Sequence, residues 1–268
     1  MSITVKTMAL GLLAFNMSAA ANAQVGGSIL DLKTAMTSYE VTALLDLKGF
    51  EHKSEVVTYK FDPDHKIDSF LQATRTTENT VRDEIFIGFD KHPQNSRAAI
   101  ITRQVIYKGG EGPTLNAVND QLKIIMGESP TQVDRSSSRM TYDYHWGKDD
   151  KFISKAKVFN KVDSCKMLFS AVTGYERAKS SKYFERSYVD VGNDGVGKHS
   201  GVYSPKCYKI ARVHVSMDKN TQLVSSLDFY LMNNTQIHTA SQELTSWADA
   251  QNSLYIKKLR ESAKTPDL

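Results

Sequence analysis

Apolar positions change their spacing several times along this chain, and each change predicts an element. From Thr37 to Lys48, the residues Val41, Leu44, Leu45 and Lys48 fall on one helical face. Thr37 with Glu40 three positions later makes a capping box, in which each side chain satisfies a backbone donor left open at the helix start. Lys48 and Gly49 supply the cation and the left-handed stop of a helix end. A short amphipathic helix is therefore expected over 37–48. Four strand-like runs follow, Glu55 to Phe61, Ile67 to Thr76, Val81 to Asp90 and Ala98 to Lys108. Ile85, Ile87 and Phe89 alternate, and β-branched residues are dense at Ile100, Ile101, Val105 and Ile106. Asp62-Pro63-Asp64 and Lys91-His92-Pro93-Gln94-Asn95 have turn chemistry, so the runs should form an antiparallel meander.

Gly109-Gly110-Glu111-Gly112-Pro113 breaks the sheet, after which Leu115, Val118, Leu122 and Ile125 recur at helical spacing until Gly127. Met140 to Trp146 alternates as a strand. From Lys148 the chain is irregular and rich in Tyr and Lys, with strand-like stretches at Tyr183 to Val189 and Lys206 to Met217 around the loop Asp190 to Gly201. Asp218 to Thr221 reads as a hairpin turn, and Leu223, Leu227, Phe229 and Leu231 as one face of the next strand. A long helix begins near Asn234, with Ile237, Ala240, Leu244, Trp247, Gln251 and Leu254 in one stripe. It should pack across the sheet, and its length leaves room for an exposed partner-binding turn. The fold class that emerges is α+β: antiparallel sheet with short helices on one face and a long C-terminal helix.

The amino terminus changes the setting. Lys6, the apolar run Met8 to Phe15 and the small residues ending Ala21-Asn22-Ala23 read as a signal peptide cleaved after Ala23. The run is much shorter than the roughly 20 residues a membrane-spanning helix needs, and no later segment qualifies. A soluble periplasmic or secreted chain is expected, with 24–147 as a helix-plus-meander module and 148–268 as a second module, the two able to join as one domain. In an oxidising compartment the two cysteines, Cys165 and Cys207, are expected to pair, a crosslink worth about 4 kcal/mol in the chain-entropy account.

Charge is uneven. Lys148 to Arg212 holds 14 Lys and Arg against 7 Asp and Glu. That excess suits anionic lipid or polysaccharide, and equally a solvated sheet surface. Tyrosines mixed with these cations give a candidate binding surface of Tyr183, Arg186, Tyr188, Lys198, His199, Tyr203, Lys206 and Tyr208, although packing on a sheet surface accounts for it about as well.

Familiar chemistry is missing. The seven histidines form no close pair, and neither H-E-x-x-H nor G-x-S-x-G occurs. Gly192 to Lys198 fits G-x-x-x-x-G-K, but His199 stands where Mg²⁺ needs Ser or Thr, and a strand pattern follows instead of a helix. Asp62, Asp64 and His65 lack the further ligands Ca²⁺ takes. Asp83 and Glu84 are adjacent on a strand and must face opposite sides. No catalytic residue, metal or cofactor is expected, and nucleic acid is an unsuitable partner outside the cytoplasm.

Two stretches resemble a known type of module. Leu32 to Val41 with Leu45 and Lys48-Gly49-Phe50, and Leu122 to Gly127 with Ser129-Pro130, Tyr144 and Trp146, resemble the helix openings of the SmpA/OmlA outer-membrane-assembly lipoproteins and the β-lactamase inhibitory proteins. The chain departs from that pattern at Thr34 and Ala35 and in having no lipid-accepting cysteine. The resemblance implies a helix on an antiparallel sheet and a binding role, and it carries over no site residue. Three functions follow as expectations: binding of another envelope or secreted protein, hydrolysis of an envelope polymer by scattered acids with His199, and binding of anionic lipid or polysaccharide.

Overall fold

The structure, a computed structural model, describes residues 27–59, 62–147, 150–153, 188–189 and 208–263. Helix α1 (Ser38–Leu47) leads into β1 (Glu51–Tyr59), β2 (Asp62–Arg75), β3 (Thr80–Phe89) and β4 (Ala98–Tyr107). Helix α2 (Leu115–Met126) precedes β5 (Gln132–Arg135) and β6 (Arg139–Trp146). β7 (Tyr188–Val189), β8 (Lys209–Met217), β9 (Val224–Asn233) and α3 (Asn234–Ser262) complete the described elements. The strands form one sheet in the order β5-β6-β8-β9-β4-β3-β2-β1-β7, antiparallel except for β7, which lies parallel to β1. The fold is α+β.

Caps place the two short helices as their sequences predict. Thr37 and Glu40 close the capping box of α1, and Thr114 accepts a hydrogen bond from the Ala117 N–H at the start of α2. The helices end at left-handed glycines, Gly49 at φ 73° and Gly127 at φ 71°. Gly112 is required for a different reason. A Cβ there would lie 1.7 Å from the Val224 carbonyl oxygen, so only glycine lets the loop before α2 pass the start of β9.

The described elements repeat. Each short helix is followed by four antiparallel strands, β1 to β4 in the first half and β5, β6, β8 and β9 in the second. The halves meet where β4 pairs with β9, Ile101 opposite Leu231 and Val105 opposite Leu227. Because both helices cover the same sheet face, an approximate two-fold axis runs through this central pair, perpendicular to the sheet. The sheet is continuous through residue 147, and β5 and β6 belong with β8 and β9.

That shared face holds the main core. Val41 and Leu45 of α1 and Val118, Leu122 and Met126 of α2 close over alternating strand residues such as Leu71, Ile87, Ile101, Tyr144, Val213 and Leu231. Charged side chains are buried here too, Asp83 and, over the Trp146 ring, Lys209. Asp83 takes Arg75 at 2.6 Å and Arg103 at 2.8 Å, and a second Arg75 nitrogen donates to the Lys48 carbonyl at the end of α1. Arg75 also lies 4.4 Å over the Phe50 ring. Glu84 points to the other face, beside Arg82.

One local expectation is corrected and one strand is added to those the sequence predicts. Asp62-Pro63-Asp64 lies inside β2 rather than in a turn, since strand pairing reaches Asp62 opposite Tyr59. β5 was not expected from the sequence, because four mostly exposed residues carry no alternation to detect. A register shift also matters: Glu55 pairs with Phe70 and Val56 with Asp68, leaving Ser69 as the extra residue of a bulge. The bulge reverses the alternation, so Ile67 faces away from the core that Leu71 enters and packs instead with Val57, Leu244 and Ala248. α3 thus lies on the second face.

Candidate interaction surface

The first turns of α3 are held to the sheet by directional contacts. Asn233 caps the helix by accepting the Gln236 N–H at 3.1 Å, and the Asn234 N–H donates to the Tyr208 carbonyl at 2.8 Å. The Gln236 side-chain amide donates to Asp90 at 2.8 Å and to the Ala98 carbonyl at 3.2 Å. Asp90 also accepts the backbone N–H of His92 at 3.1 Å and of Arg97 at 3.0 Å, which folds the loop between β3 and β4. Burial pushes the Asp90 carboxyl above its ordinary value, and the hydrogen bonds from Gln236, Arg97 and His92 oppose that shift. His92 Nδ1 accepts the N–H groups of Gln94 and Asn95, leaving Nε2 to meet Glu243 of α3 at 2.6 Å. His65 Nε2 donates to the Pro93 carbonyl at 2.6 Å, and its ring lies 4.6 Å from that of Trp247.

These residues border a cleft of about 320 Å³ lined by Asp90, His92, Asn95, Arg97, Gln236, Thr239, Ala240 and Glu243. Both nitrogens of His92 and both oxygens of Asp90 are engaged: Nδ1 and Oδ1 shape the loop, and Nε2 and Oδ2 reach the helix. The cleft is a fastener, and its acids and histidine are not poised as a free proton-transfer pair.

Beyond the fastener, α3 changes character. Ile237, Ala240, Ser241, Leu244 and Ala248 are buried at spacings of three and four, so one stripe faces the sheet. At about 100° per residue, Tyr255 and Leu259 continue the same stripe past Ala248. They are 40% and 51% exposed, beside Ile256 at 41% and Leu254 at 52%. The fully buried part of the stripe reaches Ala248, and the residues beyond it are only partly exposed. Residues 249–262 extend about 21 Å at 1.5 Å per residue.

The second face also carries a polar cross-strand array on β6, β8, β9 and β4. Arg212 and Asp143 form a two-point ion pair at 2.6 and 2.7 Å. In the next register row Thr141 meets His214 at 2.9 Å, and Gln104 donates to Asp228 at 2.8 Å. Burial, with Arg139 and Arg212 nearby, pulls His214 down to about 4, and burial with Arg212 takes His145 down to about 3. Burial and these arginines favour the neutral imidazoles.

Most of the surface proposed from sequence lies outside the described residues: Tyr183, Arg186, Lys198, His199, Tyr203 and Lys206, with the Gly192 to Lys198 loop, both cysteines and the signal segment. Tyr188 enters only through its β7 backbone, beside Thr58, and Tyr208 is half-buried with its carbonyl at the start of α3. The fastener was missed. Asp90 at a strand end two residues before His92 has the form of an Asx turn, but nothing local signals its partner Gln236.

Among the described residues no helix is long and apolar enough to cross a membrane, and no group of three or more His, Cys, Asp or Glu side chains is placed to hold a metal ion. Compared with family models, curated proteins and solved structures, the chain matches none, so the resemblance of its two helix openings rests on those residues alone.

Proposed function

We propose that this chain is an exported protein that binds another envelope or secreted protein through the distal half of α3. One observation supports this reading above the rest: beyond Ala248 the helix carries exposed large apolar side chains, Leu254 at 52%, Ile256 at 41% and Leu259 at 51%. Large apolar side chains clustered on one projecting helix are a common form of protein contact, in which an amphipathic helix enters an apolar groove. A hydrolytic role receives less support, since the polar groups around the Asp90 cleft are occupied with one another. The test is affinity capture from envelope extract with the full chain and with an Ile256→Glu, Leu259→Glu variant. The parent should retain a specific protein that the folded variant loses. Equal capture by both would overturn the proposal.

A further inference from the structure

We infer that the cleft between the first turns of α3 and the loop joining β3 to β4 is a second site, one that takes a ligand carrying a primary ammonium group. It goes beyond the contact proposed for the distal helix and does not depend on it. Gln236, Thr239, Ala240 and Glu243 line the cleft at spacings of three and four, so a single face of α3 forms one wall. Asp90 and His92 hold the opposite wall, the loop, and reach back to the helix. The helix wall keeps acceptors in hand. Every contact of the Gln236 amide nitrogen is to an acceptor, which fixes the orientation of the amide, and its carbonyl oxygen is buried with no hydrogen-bond partner among the described residues. Thr239 is exposed, and the Glu243 side chain is 52% exposed.

The charge of the lining selects the ligand. Asp90 and Glu243 bring two carboxylates against the one guanidinium of Arg97, a nitrogen of which donates to the Ala35 carbonyl at 3.2 Å. His92 accepts two N–H groups at Nδ1 and adds no charge in this arrangement. The balance is negative. Burial pushes the Asp90 carboxyl upward, and a cation bound beside it would draw it back down. A carbonyl oxygen without a donor, next to two acids, is complemented by a donor that carries positive charge. A metal ion is the poorer match, because among the described residues no three acids, histidines or cysteines are placed to hold one. An ammonium brings three donors of its own, and its aliphatic stem can lie on Ala240. The volume of about 320 Å³ has room for a small amine or for one lysine side chain.

The full chain is tested by NMR titration with diaminobutane, with N-acetyl-lysine amide and, as the neutral control, with butanediol. The amines should move the Gln236 side-chain amide and the Thr239 backbone resonances saturably, and the diol should not at the same concentration. Glu243→Gln, which keeps an acceptor for His92, should weaken amine binding about fivefold or more. Thr239→Arg, at an exposed position, should abolish it by tethering a cation in the cleft, with the melt little changed. Saturation by diaminobutane alone assigns the site to a free amine, and saturation by the blocked lysine alone assigns it to a lysine of another protein. Equal shifts from amine and diol, no shift from either amine, or unaltered binding in Thr239→Arg would overturn the site.

Discussion

The two halves of α3 share one helical pattern and differ in what their stripe meets. In the proximal half Ile237, Leu244 and Ala248 are buried on the second sheet face, and Gln236 and Glu243 tie the helix to Asp90 and His92. In the distal half Tyr255 and Leu259 occupy the same stripe and are 40% and 51% exposed. An apolar stripe is therefore not by itself a sign of core. What decides its role is whether the sheet reaches far enough to cover it, and among the described residues the second-face packing at Val57 and Ile67 reaches Ala248.

Substitutions should separate the halves sharply. Leu244→Ala removes a fully buried side chain between α3 and the Val57–Ile67 pair, and should cost about 2–5 kcal/mol of unfolding free energy in denaturant melts. A cost near zero would mean that the proximal half is not core.

Acid weakens the second face of the sheet through two buried histidines. His145 and His214 have folded values of about 3 and 4, below the unfolded value near 6.5, so the unfolded chain takes up protons first. Their contribution is fully present above about pH 6.5 and is lost as pH falls towards the folded values. Each adds a slope of about 1.4 kcal/mol per pH unit within its window. A His214→Asn variant should flatten the loss of stability between about pH 6 and pH 4, read from urea midpoints at each pH. An unchanged profile would place His214 outside the acid response.

Smaller effects refine the boundary. Gln236→Ala deletes the donor to Asp90 and to the Ala98 carbonyl, and should cost about 1–3 kcal/mol, with faster amide exchange in the loop between β3 and β4. Leu259→Ser, on the uncovered stripe, should alter the melt by no more than about 0.5 kcal/mol. A large loss there would show that the distal half is packed against something in the free chain.

The sequence disclosed the elements whose signals are local. The capping box at Thr37 and Glu40, the stop at Gly127 and the alternation through Ile85, Ile87 and Phe89 each describe a few consecutive residues, and each element is where it was expected. Asp62-Pro63 misled because proline is also tolerated at the beginning of a strand, where its missing N–H costs least. The junction of β4 with β9, the reversal at Ser69 and the reach of Gln236 to Asp90 join distant parts of the chain, and no local spacing encodes them. The long stripe of α3 was legible, and so was room for an exposed turn. Where cover ends depends on the placement of Val57 and Ile67, which only the folded sheet determines.

Site-specific photo-crosslinking tests the central claim most directly, with the crosslinker placed at Leu259 on the distal stripe or at Leu47, an 82% exposed position on α1. In intact envelope preparations the account predicts one discrete protein adduct from position 259 and none from position 47. No adduct at 259, or the same adducts from both positions, would contradict it.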